Sequence, residues 1–455
     1  MSLISDADEL FDNNIEVTLE SRDIRSRSAP EGSMSMIGTI FLIVNTTLGA
    51  GLLNFPLAFD KSGGIASAII IQLVLLIFIT AALVTLANCA DITKTTSMQE
   101  TVAGLCGPKI LFLCGICITI YSFGCCLTLI IIIGDQFERV LATYYGMDFC
   151  HHWFLSRTFI TSITCTVFIL PLSFFKRLDA LSYTSSIGCT TIIYVVWLII
   201  YESVSATDYP KPTQSWPNNI SQALEIVPII CFAYQSHMTA IPTYACMKNR
   251  NVYSFTWCAI VSMCICLLCY TVVGIFGYRT FGIGHVPSDI LQGYTDKTVT
   301  LAIAIIAVAV KNFTTYPIIL FCGRNSLLDI INSNLNHNVT VRIAVTFLWF
   351  ILTLIISIIV PDISPVINFL GTLSAAFIFI FPGICLLQST LIKDPSLYLN
   401  KNRFLIITAI VMTAIGAFVT GFVFVQTFDS FYKESSAKRS LITEVWHELG
   451  TSLCT

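Results

Sequence analysis

Eleven long apolar runs, separated by short polar stretches, constrain this chain more than any other feature. They cover approximately 37–59, 64–88, 109–134, 157–174, 180–201, 221–246, 254–281, 298–323, 340–360, 363–388 and 403–427. A helix that crosses a bilayer needs about 20 such residues. An unpaired amide in hydrocarbon costs several kcal/mol, so runs of this kind must pair their backbone internally, as helices. Barrel strands would alternate in polarity, and these runs do not. Composition agrees: 55% of the 455 residues are hydrophobic and only 11% charged, against roughly 25% charged in a soluble domain. The net charge of −3 is spread along the chain, so nucleic-acid binding has no electrostatic footprint. The fold class expected is an all-α membrane protein, with residues 36–427 as the transmembrane domain.

Lys and Arg set the orientation. With the N-terminus in the cytosol, fourteen fall on cytosolic segments, among them Arg25, Lys176, Arg177, Lys248, Arg324 and Arg342. Six fall on outer loops: Lys61, Arg139, Arg157, Lys211, Arg279 and Lys297. Residues 1–35 are polar and mixed in charge, with no basic start leading into an apolar core. They are expected to form a disordered cytosolic tail rather than a secretory signal. Eleven spans then place residues 428–455 outside the cell or in a lumen. Asn219-Ile220-Ser221, between the fifth and sixth runs, has the form of a glycosylation acceptor. Nearly all of the 18 cysteines lie inside apolar runs, without metal-ligand spacing. Cys150 and Cys454 are assigned to the outer side, which leaves a disulfide between them open.

Two apolar runs contain sequence that should not stay helical. The first reads Asn45-Thr46-Thr47-Leu48-Gly49-Ala50-Gly51-Leu52-Leu53-Asn54-Phe55-Pro56. Two glycines and a proline destabilise helix there. The second reads Phe232-Ala233-Tyr234-Gln235-Ser236-His237-Met238-Thr239-Ala240-Ile241-Pro242, a polar run at membrane depth that also ends in proline. The two lie five helices apart, as in two five-helix halves that each open with a broken helix, plus an eleventh helix. Interrupted helices at matching positions mark a transporter's midplane site. Amides freed at a half-helix start can bind a carboxylate, and freed carbonyls can bind a cation.

At these residues the chain resembles the sodium-coupled neutral amino acid transporters of the amino acid/auxin permease family. The resemblance runs from about Ile37 to Gln426. It is carried by Asn45 through Pro56, by Ile133-Gly134-Asp135-Gln136, by Ile169-Leu170-Pro171-Leu172-Ser173, by Thr315-Tyr316-Pro317 with Phe321-Cys322-Gly323-Arg324, and by Ile378 through Gly383. It is strongest toward the branch with lysosomal glutamine transporters. The resemblance implies an eleven-helix fold like that of the leucine transporter, built as a 5+5 inverted repeat plus one helix. It also implies a sodium site that includes Asn45 and Thr315. A carbonyl of the unwound segment, such as that of Leu48, would complete the shell.

The substrate carboxylate is then expected at amides around Thr46, Thr47, Gly49, Ala50 and Gly51. Its ammonium is expected near Phe232, Ala233 and Tyr234, with Gln235, Ser236 and His237 close to its side chain. Neither break contains an acid, which favours a neutral side chain. Lys311 departs from this pattern, one helical turn before Thr315. Charges at membrane depth default to functional. Lys311 therefore opens a proton-coupled or uncoupled alternative, set against a structural pairing with a carboxylate such as Glu225. No cofactor and no catalytic constellation is expected. A monomer in the plasma or lysosomal membrane is the expected form. A membrane amino acid sensor of the same fold is the remaining alternative.

Overall fold

The computed structural model describes residues 32–49, 51–145, 153–175, 178–205, 211–294, 298–332, 338–359, 364–393 and 400–448. The chain begins with α1 (Met36–Thr47) and α2 (Gly51–Lys61), two halves of one span bent by 55°. Then come α3 (Ile65–Thr93), α4 (Pro108–Tyr145), α5 (Arg157–Ser173) and α6 (Leu178–Ser205). The second broken span is α7 (Val227–Ala233) and α8 (His237–Ala245). It is followed by α9 (Val252–Phe281), α10 (Val299–Asn332) and α11 (Val339–Ile359). A π-helical turn at Ala376–Ile380 joins α12 (Ser364–Ala375) to α13 (Phe381–Lys393), and α14 (Asn400–Glu448) ends the described chain.

Among the described residues nine helices are long and apolar enough to span a bilayer, and the bent α1–α2 pair makes a tenth. Each coincides with one of the apolar runs. The remaining run forms α5, at 17 residues a shorter apolar helix than a perpendicular crossing needs. Cys150, Cys454 and most of the expected N-terminal tail lie outside the described residues. The last residues of that tail are anchored: the Met34 N–H donates to the Cys246 carbonyl at 3.0 Å, and the Lys248 N–H donates to the Met34 carbonyl at 2.9 Å. Ser35 then starts α1 by capping the Gly38 amide. These bonds tie the start of the first broken span to the end of the second. At the other end, α14 continues as helix past the boundary expected at 427.

Burial sorts the helices into a centre and a periphery. In α10 and in the span Gln222–Ala245, 83% of the most apolar window is buried inside the protein; in α11 and α14 the figure is 28%. The central scaffold packs α10 against α4 and α6, while α9 lies against α1, α2 and α3. Lipid is as apolar as leucine, so close packing rather than water exclusion holds such a bundle together. Small residues mark the close approaches. A Cβ added to Gly274 would strike the ring of Phe59, and one added to Gly323 would strike Trp349. The first contact seats α2 against α9, and the second seats α10 against α11.

Candidate substrate and ion site

The first break begins where α1 ends at Thr47. The Gly49 N–H donates to the Thr47 carbonyl at 2.7 Å, and the Leu52 N–H to the Gly49 carbonyl at 3.2 Å. These bonds replace the helical ladder across the turn. Gly51 is required by space: a Cβ there would stand 2.7 Å from the Ala233 Cβ. The second break comprises Tyr234, Gln235 and Ser236. Pro56 and Pro242 lie not at the breaks but inside the second half-helices, each at the sixth residue of its helix. That shared position is a structural echo between the two spans.

Both breaks face one cavity of about 40 Å³. The first contributes Thr46, Thr47, Gly49 and Gly51, and the second contributes Phe232, Ala233 and Gln235. The remaining wall comes from α4 (Tyr121, Cys125, Thr128, Leu129), α8 (Met238, Thr239) and α10 (Thr315, Ile319). No acidic or basic side chain lines it. Its volume holds a water or two, so an amino acid enters only if the surrounding helices part. The hydroxyls of Thr46 and Thr47 turn back onto their own helix, donating to the carbonyls of Leu42 and Ile43. These two threonines therefore present backbone and methyl groups to the cavity. The Gly49 amide already serves Thr47, and Ala50 lies outside the described residues. Tyr234 points elsewhere: its hydroxyl accepts from Gln72 Nε2 at 2.7 Å.

Tyr270 on α9 has no sequence signal, yet it joins the two breaks. Its hydroxyl lies 2.7 Å from the Thr47 carbonyl and 2.9 Å from the Ala233 carbonyl. These are the last carbonyls of α1 and α7. One hydroxyl proton is shared between two acceptors, each at the negative end of a helix. The ring is held by stacking on Phe55 at 4.4 Å and by Tyr234 at 4.9 Å.

The residues expected to hold a cation separate into two places. Asn45 is fully buried. Its Nδ2 donates to Ser185 Oγ at 3.3 Å and to Thr314 Oγ1 at 3.4 Å, and its Oδ1 has no hydrogen-bond partner. Thr314, not Thr315, therefore faces Asn45, because successive helical residues diverge by about 100°. Thr315 faces the substrate cavity instead, its hydroxyl donating to the Lys311 carbonyl. Leu48 lines a smaller cavity of about 20 Å³ together with Gly49, Asn312 and Lys311. Lys311 is 4% exposed and its Nζ has no hydrogen-bond partner. A Cβ on Gly49 would be 3.7 Å from that nitrogen. Glu225 is exposed in the turn before α7, so the suggested Lys311–Glu225 pair does not form. No cluster of His, Cys, Asp or Glu suited to a metal occurs among the described residues.

Toward the C-terminal end of α4, Gln136 Nε2 donates to Asp289 Oδ2 at 2.7 Å. The Leu291 amide donates to Asp289 Oδ1. Burial raises the Asp289 carboxyl above the ordinary carboxylate value, and these bonds together with Arg139 offset part of the rise. Arg157 pairs with Asp135 in the same region and ties α5 to α4.

Comparison with known proteins fixes the class. Residues 32–428 match the family described as Transmembrane amino acid transporter protein, and the chain belongs to that family. It is an integral membrane protein of the transporter class, not an enzyme. Among its relatives, sodium-coupled neutral amino acid transporter 7 of Danio rerio is 34% identical over 86% of this chain and 86% of that protein. The Homo sapiens transporter of the same name is 33% identical over 86% of this chain and 87% of its own length. Solute carrier family 38 member 8 of Mus musculus is 32% identical over 79% of this chain and 86% of that protein. The solved structure of MhsT in complex with L-phenylalanine aligns over 88% of this chain and 100% of that one. Its TM-score is 0.53 at 12% identity, a likeness of fold alone.

Proposed function

We propose that this chain is a secondary active transporter of a neutral, glutamine-like amino acid, coupled to sodium and working by alternating access. The observation that carries this reading is the uncharged cavity shared by the two helix breaks. In this reading the substrate carboxylate meets the start of α2 at Gly51. The ammonium meets the carbonyls of Thr47 and Ala233. A zwitterion is then held by backbone dipoles, with no fixed counter-charge needed. The neutral oxygens of Asn45, Ser185 and Thr314 suit a hard monovalent cation, and the relatives' names supply sodium. One cation crossing about 100 mV contributes about 2.3 kcal/mol, roughly a fifty-fold concentration ratio. Asn219 is exposed and its Oδ1 caps the Gln222 amide, leaving Nδ2 as an outer-face glycosylation site. A glycosidase-sensitive mobility shift lost in Asn219→Gln checks that assignment and, with it, the orientation.

A second reading rests on Lys311. Its unpaired ammonium beside the first break supplies the positive charge itself, and transport is proton-coupled or uncoupled. Labelled glutamine uptake into liposomes, with sodium and pH gradients varied independently, separates the two. Uptake that follows sodium supports the Asn45 site. Uptake indifferent to sodium, with sodium dependence appearing in Lys311→Ser, supports the second reading.

A further inference from the structure

We propose that Gln235 turns its amide oxygen, not its amino group, toward the substrate cavity, so that the site selects amino acids whose side chain offers an N–H donor. This rests on the substrate reading of the cavity and names the side-chain chemistry it takes.

Gln235 lies in the second break, 5% exposed, and lines the cavity. Its Oε1 is placed 3.0 Å from His237 Nδ1, and its Nε2 has no hydrogen-bond partner. The two ends of an amide are nearly identical in shape, so the hydrogen-bond network decides which one faces His237. His237 is fully buried, and its Nε2 lies 3.2 Å from the Ile79 carbonyl of α3. A carbonyl only accepts, so Nε2 carries the hydrogen.

No acid pairs with His237 among the described residues. It also opens α8, at the positive end of a helix dipole. A second proton would create an uncompensated buried cation at membrane depth, which is strongly disfavoured. His237 is therefore neutral, with its single hydrogen on Nε2 and a lone pair on Nδ1. A lone pair requires a donor opposite it. The Gln235 amide meets that requirement with its NH₂ group, and its oxygen is left facing the cavity. The order of donation runs from Gln235 to His237 to Ile79.

A buried carbonyl oxygen without a donor is costly. Glutamine completes it through its side-chain amide. Glutamate brings a second acceptor to the same point, and the γ-methyl ester of glutamate keeps glutamine's carbonyl but has a methoxy group, one methyl longer, in place of the donor. Specificity of this kind comes from leaving a buried group unpaired when the wrong substrate binds.

The test uses the full-length protein in liposomes, with labelled alanine uptake challenged by glutamine or by glutamate γ-methyl ester. Thermal stabilisation of the detergent-solubilised protein reports binding in parallel. Glutamine should compete about ten- to a hundred-fold better than the ester. That ratio should fall toward one in Gln235→Met. It should also fall in His237→Leu, where Gln235 keeps its amide but loses the partner that orients it. Parity in the wild type, or a preference for the ester, overturns the proposal while alanine uptake leaves the transport reading intact. Absence of both uptake and stabilisation by every neutral amino acid overturns the transport reading and this proposal with it. If a variant does not fold, the wild-type ratio still decides.

Discussion

Gly51 and Gly49 lie two residues apart in the same break, yet the structure predicts opposite outcomes for alanine at each. A Cβ on Gly51 would stand 2.7 Å from the Ala233 Cβ and 2.9 Å from its Cα. Carbon atoms in contact sit at about 3.5–4.0 Å, so α2 and α7 would have to part by about 1 Å. The obstacle includes backbone and cannot be relieved by a rotamer change. Overpacking of this kind costs about 1–3 kcal/mol, which corresponds to a factor of about 5 to 150 in an equilibrium. Alanine's better helix propensity returns at most about 1 kcal/mol, and less at a helix end. On Gly49 the nearest neighbours to an added Cβ are Lys311 Nζ at 3.7 Å and the Thr47 and Thr46 carbonyls at 3.9 and 4.0 Å. Those are ordinary contacts, and the expected effect is within about two-fold. The assay is glutamine uptake by each variant in liposomes, normalised to folded protein. Near-normal uptake by Gly51→Ala, or a larger loss in Gly49→Ala, would refute the close apposition of the two breaks.

Further outcomes follow from the same geometry. In Gly188→Ala the new methyl collides with Asn45 Oδ1 and comes within 2.7 Å of Thr314 Oγ1. The sodium concentration that half-saturates uptake should rise about ten-fold, a cost near 1.4 kcal/mol, while an unchanged value places the ion elsewhere. Tyr270→Phe keeps the ring stack but removes the hydroxyl that bridges the Thr47 and Ala233 carbonyls. Loss of such a bond costs about 1–3 kcal/mol, to be read as weaker glutamine binding in thermal-shift titrations. Burial raises the Asp289 carboxyl above its ordinary value of 3.8. The native state therefore binds this proton more tightly than the unfolded chain does. Stability from this group rises as pH falls through its folded value, and the gain is complete once pH drops below about 3.8. Melting temperatures across that window should show a slope that Asp289→Asn removes.

The spans and the two breaks were legible because they rest on strong local signals. Hydrocarbon forces helix, and the two glycines of the first run and the polar stretch of the second weaken it. Finer placement was not legible, for a physical reason. Where a helix is buried on nearly every side, as α10 is, no polar face marks its rotation. Thr314 and Thr315 then look equivalent in sequence, although one meets Asn45 and the other the substrate cavity. Tyr270 was hidden in the same way, as one aromatic residue in an apolar helix; the long-range contact that gives it a role leaves no local trace. Glu225 looked like a partner for Lys311 because the apolar run starts near it, but it lies in the exposed turn ahead of α7. The fourth run was visible, but its helix α5, at 17 residues, is shorter than a perpendicular crossing needs.

The most direct test of transport through the paired breaks is counterflow. Liposomes holding the protein are loaded with unlabelled glutamine and diluted into a trace of labelled glutamine, with no ion gradient. A carrier that alternates its site between the two faces accumulates label transiently above equilibrium, and Gly51→Ala should suppress that overshoot. Label that rises only to equilibrium, without overshoot, in the wild type would contradict an alternating site and favour a protein that binds amino acids without carrying them.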